Sequence, residues 1–166
     1  MNYSNNDFMK LALEEAEISY NRGDLPVGAV LTIDNKLIGK DGNSATTNED
    51  WFSHAEASVL NKYSRAIKTS KKIDKNTEII LYSSWEPCLM CTSIASLCRV
   101  DKIIYSCPDP IGGVSKFNPN NLPDWYNRHW PIFERGLYEK ESYNLLIKYM
   151  ENNIDIWGDF IQKFKI

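Results

Sequence analysis

The chain has 166 residues and a formal net charge of −3, and 43% of its residues are hydrophobic and 12% aromatic. These values predict a single folded domain over residues 1–166 and exclude a disordered chain, which could not leave so many aromatic side chains in water. No apolar run approaches the roughly 18 residues that span a bilayer, and the first ten residues lack the pattern of a secretory signal. We therefore expect a cytoplasmic protein without a membrane partner.

Predicted helices and strands alternate along the chain. The first helix should begin at Ser4, whose spacing to Asp7 is that of a capping box, and should stop before Gly23. A hairpin follows, because the pair Asp34-Asn35 separates two short apolar runs, 27–33 and 36–40. Later helices are predicted over 54–66, 88–99, 139–151 and 155–164, and later strands over 78–83, 102–106 and 131–133. This alternation favours an α/β domain, with 68–76 as a loop and 107–130 unassigned.

Two short motifs carry the chemistry. His54 and Glu56 form an H-x-E motif, and Cys88 and Cys91 follow Pro87 in a P-C-x-x-C motif. Cysteines three residues apart at a helix start point the same way, and the helix N-terminus favours their thiolate forms. One imidazole and two thiolates give three protein ligands for zinc and leave the fourth position open, which is typical of a catalytic site.

Glu56 is spaced to lie beside a metal-bound water without ligating the metal. Zinc lowers the pKa of its water to about 7, and a neighbouring carboxylate can carry the proton of that water to a substrate. The pairing of H-x-E with P-C-x-x-C is the known signature of zinc-dependent base deaminases. A structural zinc knuckle, buried thiols or a redox motif are weaker explanations, because both motifs stand at predicted helix starts.

Further segments extend this resemblance over residues 5–151. Residues 25–30 (LPVGAV) resemble the first strand of the cytidine deaminase superfamily. The closer similarity is to the branch holding tRNA adenosine deaminases, guanine deaminases and yeast-type cytosine deaminases. Gly42-Asn43, the sequence EPCLMC at 86–91, and Arg135-Gly136-Leu137 are similar to that branch. The resemblance implies a cytidine-deaminase-like, three-layer α/β/α sandwich around a mixed sheet of about five strands. An extra C-terminal helix is expected at about 154–165.

The resemblance also implies roles for individual residues. Zinc, one per chain, would be bound by His54, Cys88 and Cys91, and Glu56 would be the catalytic proton carrier. Asn43 would hydrogen-bond the base, and the backbone N–H of Ala55 would contact the substituent on the attacked carbon. The pocket floor and wall would be formed by Val27, Gly28, Ala29, Ser84 and Trp85.

The chain departs from the branch at several positions. Trp51 and Phe52 replace small residues just before H-A-E, and both become candidate substrate contacts. Asp109 follows a predicted strand end, where α/β folds place ligands, so it is a third candidate. Asp159 is a candidate for the same substrate contact. For both aspartates the alternative is an ordinary role in a turn or a helix cap. Residues 108–130 have no counterpart in the branch and should cover the site or a dimer interface.

Each of several other features has an ordinary structural interpretation and a functional one. Cys98 and Cys107 fit core thiols better than a second metal site, and His129 fits a surface or interface position. The aromatic residues of 125–130 favour packing under a long loop over base stacking. The helix at 154–165 fits core or dimer packing as well as a lid. A basic cluster favours a solvated helix end over a phosphate or RNA contact; it comprises Lys62, Arg65, Lys68, Lys71, Lys72 and Lys75.

These patterns predict a zinc-dependent hydrolytic deaminase that removes an exocyclic amine as ammonia. The mild acidity favours a free purine or pyrimidine base or nucleoside over nucleic acid, with guanine ahead of cytosine. The alternative is a tRNA-specific adenosine deaminase, supported by the basic cluster, so RNA is a less favoured partner. A non-catalytic zinc-binding paralogue is a weaker alternative, because Glu56 and Asn43 are present. The resemblance further implies a homodimer.

Overall fold

The computed structural model describes residues 3–164 and forms one mixed sheet between two layers of helices. The strands are β1 (Gly28–Ile33), β2 (Lys36–Gly42), β3 (Ile79–Trp85), β4 (Lys102–Cys107) and β5 (Ile132–Arg135). The helices are α1 (Asn5–Arg22), α2 (Ala55–Ile73), α3 (Leu89–Leu97), α4 (Asp124–His129), α5 (Glu139–Asn152) and α6 (Ile154–Ile161), with a 3₁₀ turn at Pro119–Asn121. None of the helices in this part of the chain is long and apolar enough to cross a membrane.

The sheet has the strand order β2-β1-β3-β4-β5. Strand β1 pairs antiparallel with both β2 and β3, whereas β3–β4 and β4–β5 are parallel. Parallel pairs need crossover connections, which α3 and the 108–131 segment provide. The prediction of an α/β fold with a mixed sheet of about five strands is confirmed.

Alternating side chains of the strands face different helices. On one face, Phe8 and Met9 of α1 pack against Val30 and Tyr82. Helix α5 lies on this same face, where the Ser142 hydroxyl donates a hydrogen bond to the carbonyl of Ser84. On the other face, the apolar sides of α2 and α3 cover the remaining strand residues; this cluster includes Leu31, Val59, Leu60, Leu81, Ala95 and Ile103. The predicted three layers follow from this alternation.

Local signals in the sequence set the first two connections. The Ser4 hydroxyl accepts from the backbone N–H of Asp7, whose carboxylate accepts from the N–H of Ser4, so the predicted capping box is confirmed. Gly23 ends α1 with φ of 93°, a conformation that glycine adopts without a steric cost. Asp34 and Asn35 both have positive φ, 48° and 58°, as a two-residue hairpin turn requires.

Helix α2 ends seven residues later than predicted, at Ile73 and not at 66. The basic stretch expected as a loop is helical because lysine is a good helix former and Lys71 is anchored. Its ammonium group donates to the carbonyl of Thr77 at 2.7 Å and pairs with Asp101 at 2.8 Å.

The C-terminal helix is shorter than predicted. Helix α6 ends at Ile161, and the last residue of the expected range, 165, lies outside the described residues. Aromatic side chains in and after this helix pack edge-on against Trp85: Phe160 of α6 and Phe164, which follows it, have rings 5.8 and 6.0 Å from the Trp85 ring. Trp157 packs against Tyr149. The partly buried aromatic residues of α6 therefore pack against the core near the end of β3.

Gly28 has no side chain, so α1 can lie directly on β1 at this position. A Cβ atom at Gly28 would lie 2.0 Å from the carbonyl oxygen of Ala12 and 2.6 Å from the nitrogen of Ala16. These are backbone atoms that cannot rotate away, so Gly28→Ala should destabilise the protein by about 3 kcal/mol or more. The midpoint of urea unfolding measures this loss.

Gly158 offers a matched control for that substitution. It lies within α6, and an added Cβ would meet only the Ile154 side chain, at 3.7 Å. Gly158→Ala should therefore leave stability unchanged or raise it by up to about 1 kcal/mol. Equal midpoints for the two variants would show that the close approach of α1 to β1 is not needed.

Candidate metal centre and active site

Two helix starts meet beyond the carboxyl end of β3. His54 is the N-cap of α2 and Cys88 is the N-cap of α3, and neither side chain makes a capping hydrogen bond. Ser, Thr, Asp or Asn usually occupies such positions and bonds its own helix. Here the two side chains are free to face one another. Only Cys91 lies within the first turn of α3, because the helix begins one residue later than predicted.

The three predicted ligands form a compact cluster. His54 Nδ1 lies 3.7 Å from the sulfur of Cys88 and 3.5 Å from the sulfur of Cys91, and all three ligand atoms lie within 4.8 Å of one another. A tetrahedral zinc with Zn–S near 2.3 Å and Zn–N near 2.05 Å would place N and S about 3.6 Å apart. The donor set and its spacing therefore fit zinc, with one coordination position left open.

The protonation of the two thiols is divided unequally. A hydrogen bond from the Cys91 thiol, supported by His54, lowers the pKa of Cys88 to about 4. The same hydrogen bond and burial raise the pKa of Cys91 well above its ordinary value. The facing Cys88 sulfur raises the pKa of His54. A divalent cation bound by these three side chains would require both thiols as thiolates, so its binding would release protons.

Glu56 is fully enclosed beside this cluster. One carboxylate oxygen accepts a hydrogen bond from the Ser83 hydroxyl at 2.7 Å, and the other lies 3.5 Å from the sulfur of Cys91. Burial raises the pKa of Glu56 above its ordinary value, and the hydrogen bond from Ser83 opposes this rise. A carboxyl group with a raised pKa can both accept and return a proton near neutral pH.

Ser83 was not identified from the sequence as a functional residue. It lies in β3, and its hydroxyl donates to Glu56 while its neighbour Ser84 faces the opposite side of the sheet. Consecutive residues of a strand face opposite sides of the sheet. This alternation is the one sequence signal that could have distinguished the role of Ser83 from that of Ser84.

We expect Ser83→Ala to shift the pH dependence of activity. The lost hydrogen bond stabilises the charged form of Glu56, so its removal raises the Glu56 pKa further. The sequence predicts that the charged Glu56 carboxylate accepts the first proton, so we expect the acid limb of the kcat/KM profile to move to higher pH. Ser64→Ala, at an exposed hydroxyl on α2, is the control. Superimposable profiles for the two variants would remove Ser83 from this role.

Asn43 is buried at the start of the loop that leads to His54. Its backbone N–H donates to the carbonyl of Val27 at 2.8 Å, and its side-chain oxygen accepts from the N–H of Ala45 at 3.1 Å. Its side-chain NH₂ group makes no hydrogen bond to another residue within 3–164, so this group can donate to a ligand. Such a placement fits the predicted base contact.

The sequence gives no signal for an ion pair that holds the Asn43 backbone, formed by the exposed Arg22 and the buried Asp24. The guanidinium of Arg22 donates to the carbonyl of Asn43 and to Asp24, each at 2.6 Å. Asp24 also accepts from the backbone N–H and the hydroxyl of Thr47. Burial raises the Asp24 pKa, but the hydrogen bonds from Arg22 and Thr47 outweigh it, so this pKa lies below its ordinary value. The network fixes the loop between β2 and α2.

The predicted floor residues surround the start of β1. Val27, Gly28, Ala29 and Ala55 are buried. The Ser84 hydroxyl accepts from the N–H of Gly28 at 3.0 Å, which ties β3 to β1. Trp85 is buried, and its indole N–H donates to the carbonyl of Pro108. In this structure Ser84 and Trp85 therefore join elements around the site.

The three additional candidates lie in more exposed surroundings. Trp51 and Phe52 are 88% and 70% exposed on the loop before α2, so neither ring packs against the cluster. The carboxylate of Asp109 accepts from the N–H groups of Ile111 and Gly112, which is a turn arrangement. Asp159, the other aspartate considered, is exposed on α6.

Glu86 organises the loop that carries Asp109. Its carboxylate accepts from the N–H of Asp109 at 3.0 Å and from the N–H of Ser115 at 2.8 Å. Gly113 lies against it, because a Cβ there would approach the carboxyl carbon to 2.4 Å. Gly113 also pairs with Cys88 through an isolated β-bridge. The segment unassigned from the sequence is thus attached to one of the three candidate metal ligands.

The remaining cysteines lie apart from this cluster. Burial raises the pKa of Cys107 to about 12 and raises the pKa of Cys98. Among residues 3–164, the cluster of His54, Cys88 and Cys91 is the one group of three or more potential ligands. Both observations support the interpretation of Cys98 and Cys107 as core thiols.

A His-Cys-Cys cluster with a buried glutamate that does not ligate it defines the site of a zinc-dependent base deaminase. In agreement, a sequence model of the cytidine and deoxycytidylate deaminase zinc-binding region matches residues 2–107. The chain belongs to this family, so it is a zinc-binding hydrolase that acts on C–N bonds.

Relatives of the chain are similar over almost their whole length. The tRNA-specific adenosine deaminase of Agrobacterium fabrum (strain C58) is 32% identical over 149 residues, which cover 89% of this chain and 95% of that protein. The tRNA-specific adenosine deaminase of Aquifex aeolicus (strain VF5) is 33% identical over 153 residues, which cover 89% and 96%.

Solved structures share the fold. One, from a study of A-to-I editing by tRNA:A34 deaminases at the wobble position of transfer RNA, superposes with a TM-score of 0.66 at 32% identity, covering 84% of this chain and 98% of that chain. The guanine deaminase of Nitrosomonas europaea superposes with a TM-score of 0.68 at 20% identity, covering 88% and 84%. The second similarity establishes the fold alone.

Proposed function

We propose that this chain is a tRNA-specific adenosine deaminase that converts adenosine to inosine at the wobble position. The observation that carries the proposal is the identity of 32–33% over almost the full length of two tRNA-specific adenosine deaminases. The sequence reasoning had placed a guanine-like base first and this substrate second. The similarity to the guanine deaminase of Nitrosomonas europaea, at 20% identity, gives that first choice no comparable support.

The residues of the site can perform the hydrolysis in ordered proton transfers. Zinc, held by His54, Cys88 and Cys91, would supply its ability to lower the pKa of a bound water. Glu56 would accept the proton from that water and deliver it to the ring nitrogen beside the attacked carbon. The same carboxylate would then take the proton of the hydroxyl group now on the attacked carbon and pass it to the leaving amine, which departs as ammonia.

The surroundings of Glu56 would orient the base during these steps. The free NH₂ group of Asn43 can donate to a ring acceptor, since its oxygen is already bonded to Ala45. The backbone N–H of Ala55 lies at the start of α2 between the zinc ligand His54 and Glu56. The enclosed walls would keep bulk water from the reacting atoms, which strengthens each electrostatic contact.

A substrate panel tests this proposal. The zinc-loaded protein is given an RNA hairpin with one adenosine in its loop, the same hairpin with guanosine there, and free guanine, cytosine, adenosine and cytidine. We expect kcat/KM for the adenosine hairpin to exceed that for every free base or nucleoside by at least about 100-fold, because contacts with the remote RNA stabilise the transition state. A higher kcat/KM for guanine would overturn the proposal in favour of guanine deamination.

We include a homodimer and a cytoplasmic location in this proposal. The apolar surface between α2 and α3 supports the dimer: Phe52 is 70% exposed and Leu97 is 55% exposed beside a groove of about 560 Å³. Met90 and Ile94 also line the groove. An exposed apolar patch of this kind commonly marks a protein interface.

A charge within the groove should disrupt the dimer. Leu97→Glu is expected to weaken self-association by at least about tenfold, since a charge would be buried against apolar side chains. Sedimentation velocity over a range of concentrations measures the change. Leu37→Glu, at a partly exposed leucine on β2 outside the groove, should behave like the wild type. A monomeric wild-type protein would contradict the prediction.

A further inference from the structure

A strongly basic surface lies at the end of α2 remote from the metal cluster. Two adjoining grooves, of about 620 and 390 Å³, share Lys71, Lys75 and Arg99 among their lining residues. We call this region the distal basic surface and define it by its cationic residues: Lys68, Lys71, Lys72, Lys75, Arg99 and Arg128.

The distal basic surface is separate from the catalytic pocket. Helix α2 has 19 residues, so at 1.5 Å per residue its two ends lie about 28 Å apart. His54 is at one end of this helix, and Lys71 and Lys72 are in its last turn. The ion pair of Lys71 with Asp101 attaches this end to the edge of the sheet where β3 and β4 begin.

Much of the positive charge on this surface is not neutralised. Lys71 pairs with Asp101, and Arg128 pairs with Asp124. The other four cations form no ion pair with any residue from 3 to 164; they are Lys68, Lys72, Lys75 and Arg99, and all four are exposed. In a chain with a net charge of −3, this concentration of positive charge is a local departure from the rest of the molecule and favours a polyanionic partner.

An aromatic side chain of the 108–131 segment completes the surface. The ring of Trp125 lies 5.3 Å from the guanidinium carbon of Arg99 and 4.5 Å from the ring of His129. Trp125 remains 43% exposed. The indole therefore orients Arg99 by a cation–π contact and still offers surface on which an unpaired base can stack.

We infer that the distal basic surface binds the phosphate backbone of the RNA substrate outside the loop that enters the metal site. The grooves are concave, which suits a projecting phosphate chain better than a flat bilayer. Exposed cations beside an indole are the combination with which proteins hold RNA strands. An acidic protein partner could bind the cations, but it would not need the exposed indole, which offers a surface for stacking a base. The inference rests on the proposed function, because it takes the substrate to be RNA.

Charge removal on this surface tests the inference. The triple variant K68Q/K72Q/R99Q removes three unpaired cations, and K10Q/K36Q/K148Q removes three exposed lysines elsewhere. Binding of full-length tRNA is measured from low to high salt, together with deamination of the short adenosine hairpin. We expect the distal variant to bind tRNA at least about tenfold more weakly at low salt. Its salt slope should fall by about 2 to 3, because each phosphate contact contributes about 0.7–0.9.

The remaining outcomes separate this inference from the proposed function. The distal variant should deaminate the short hairpin as the wild type does, because Lys68 and Lys72 lie toward the far end of α2 and Arg99 follows the far end of α3. Equal tRNA affinity and salt slope in the two triple variants would overturn the inference, as would binding of poly-glutamate with the affinity seen for tRNA. Weakened tRNA binding without inosine formation by the wild type would overturn the proposed function and leave the distal basic surface supported.

Discussion

Replacing Glu56 with glutamine is expected to lower kcat by about 100- to 10,000-fold, the usual contribution of a general acid–base group. The amide keeps the size of the side chain and can still accept from Ser83, but it cannot carry a proton between water and the substrate. Glu56 does not belong to the ligand cluster of His54, Cys88 and Cys91, so zinc should remain bound. Ammonia release and zinc content measured on the same sample check both parts of this prediction.

Glu56→Ala should give the same loss of turnover with zinc retained, which separates proton transfer from a change in hydrogen bonding. Glu14→Gln is a control at an exposed glutamate of α1. Its kcat should equal that of the wild type. Retained turnover in both Glu56 variants would remove Glu56 from the mechanism, whereas loss of zinc in both would assign it a structural role in the metal centre.

The second large effect is expected from loss of a zinc ligand. Cys88→Ala leaves two protein ligands, so zinc affinity should fall by more than about 100-fold, the upper range for the loss of a supporting residue outside the ligand set. Deamination should fall with the zinc content. The protein should also unfold at a lower temperature, because zinc that binds only the folded state stabilises it.

Cys98→Ala is the matched control for this substitution. Cys98 is half-buried at the end of α3, and burial raises its pKa, so it lacks the thiolate character of a ligand. This variant should retain one zinc per chain and full activity, with at most a modest loss of stability. Zinc loss equal to that of Cys88→Ala would contradict the division of the four cysteines into two ligands and two core thiols.

The sequence was most informative where local chemistry determines the structure. The capping box at Ser4 and the turn at Asp34-Asn35 were predictable because each depends on a few adjacent residues. The meeting of His54, Cys88 and Cys91 beside Glu56 was predictable because zinc coordination and proton transfer restrict the residue types and spacings that can serve them. The mixed sheet of about five strands followed from the resemblance, whereas the order of those strands is a finding of the structure.

Contacts between distant segments were not predictable from the sequence. The pairing of Ser83 with Glu56, and the bonds from Glu86 to the 109–115 loop, depend on the register of β3 and on the path of a long irregular segment. Helix α2 continues beyond its predicted end because the Lys71 ammonium group pairs with the carboxylate of Asp101, which lies 30 residues later in the sequence. Residues 107–130 were unassigned because the short helix α4 within them shows no clear periodic pattern.

The net charge of the chain does not describe how its charges are distributed over the folded surface. The value of −3 favoured small molecules in the sequence reasoning, but the charges are not evenly spread. Lys68, Lys72, Lys75 and Arg99 meet on one surface only after the chain has folded, because Arg99 joins the lysines of α2 from the end of α3. A positive surface on an acidic protein is compatible with RNA as the substrate.

Deamination of the adenosine hairpin in water enriched in heavy oxygen tests whether this chain is a hydrolytic deaminase of adenosine in RNA. The zinc-loaded protein is incubated with the hairpin, and the digested RNA is analysed by mass spectrometry while ammonia is measured in the same sample. We expect inosine at the loop position, carrying one heavy oxygen from the solvent and formed together with one molecule of ammonia. An unchanged loop adenosine, in a preparation that holds zinc and releases ammonia from free guanine, would contradict it.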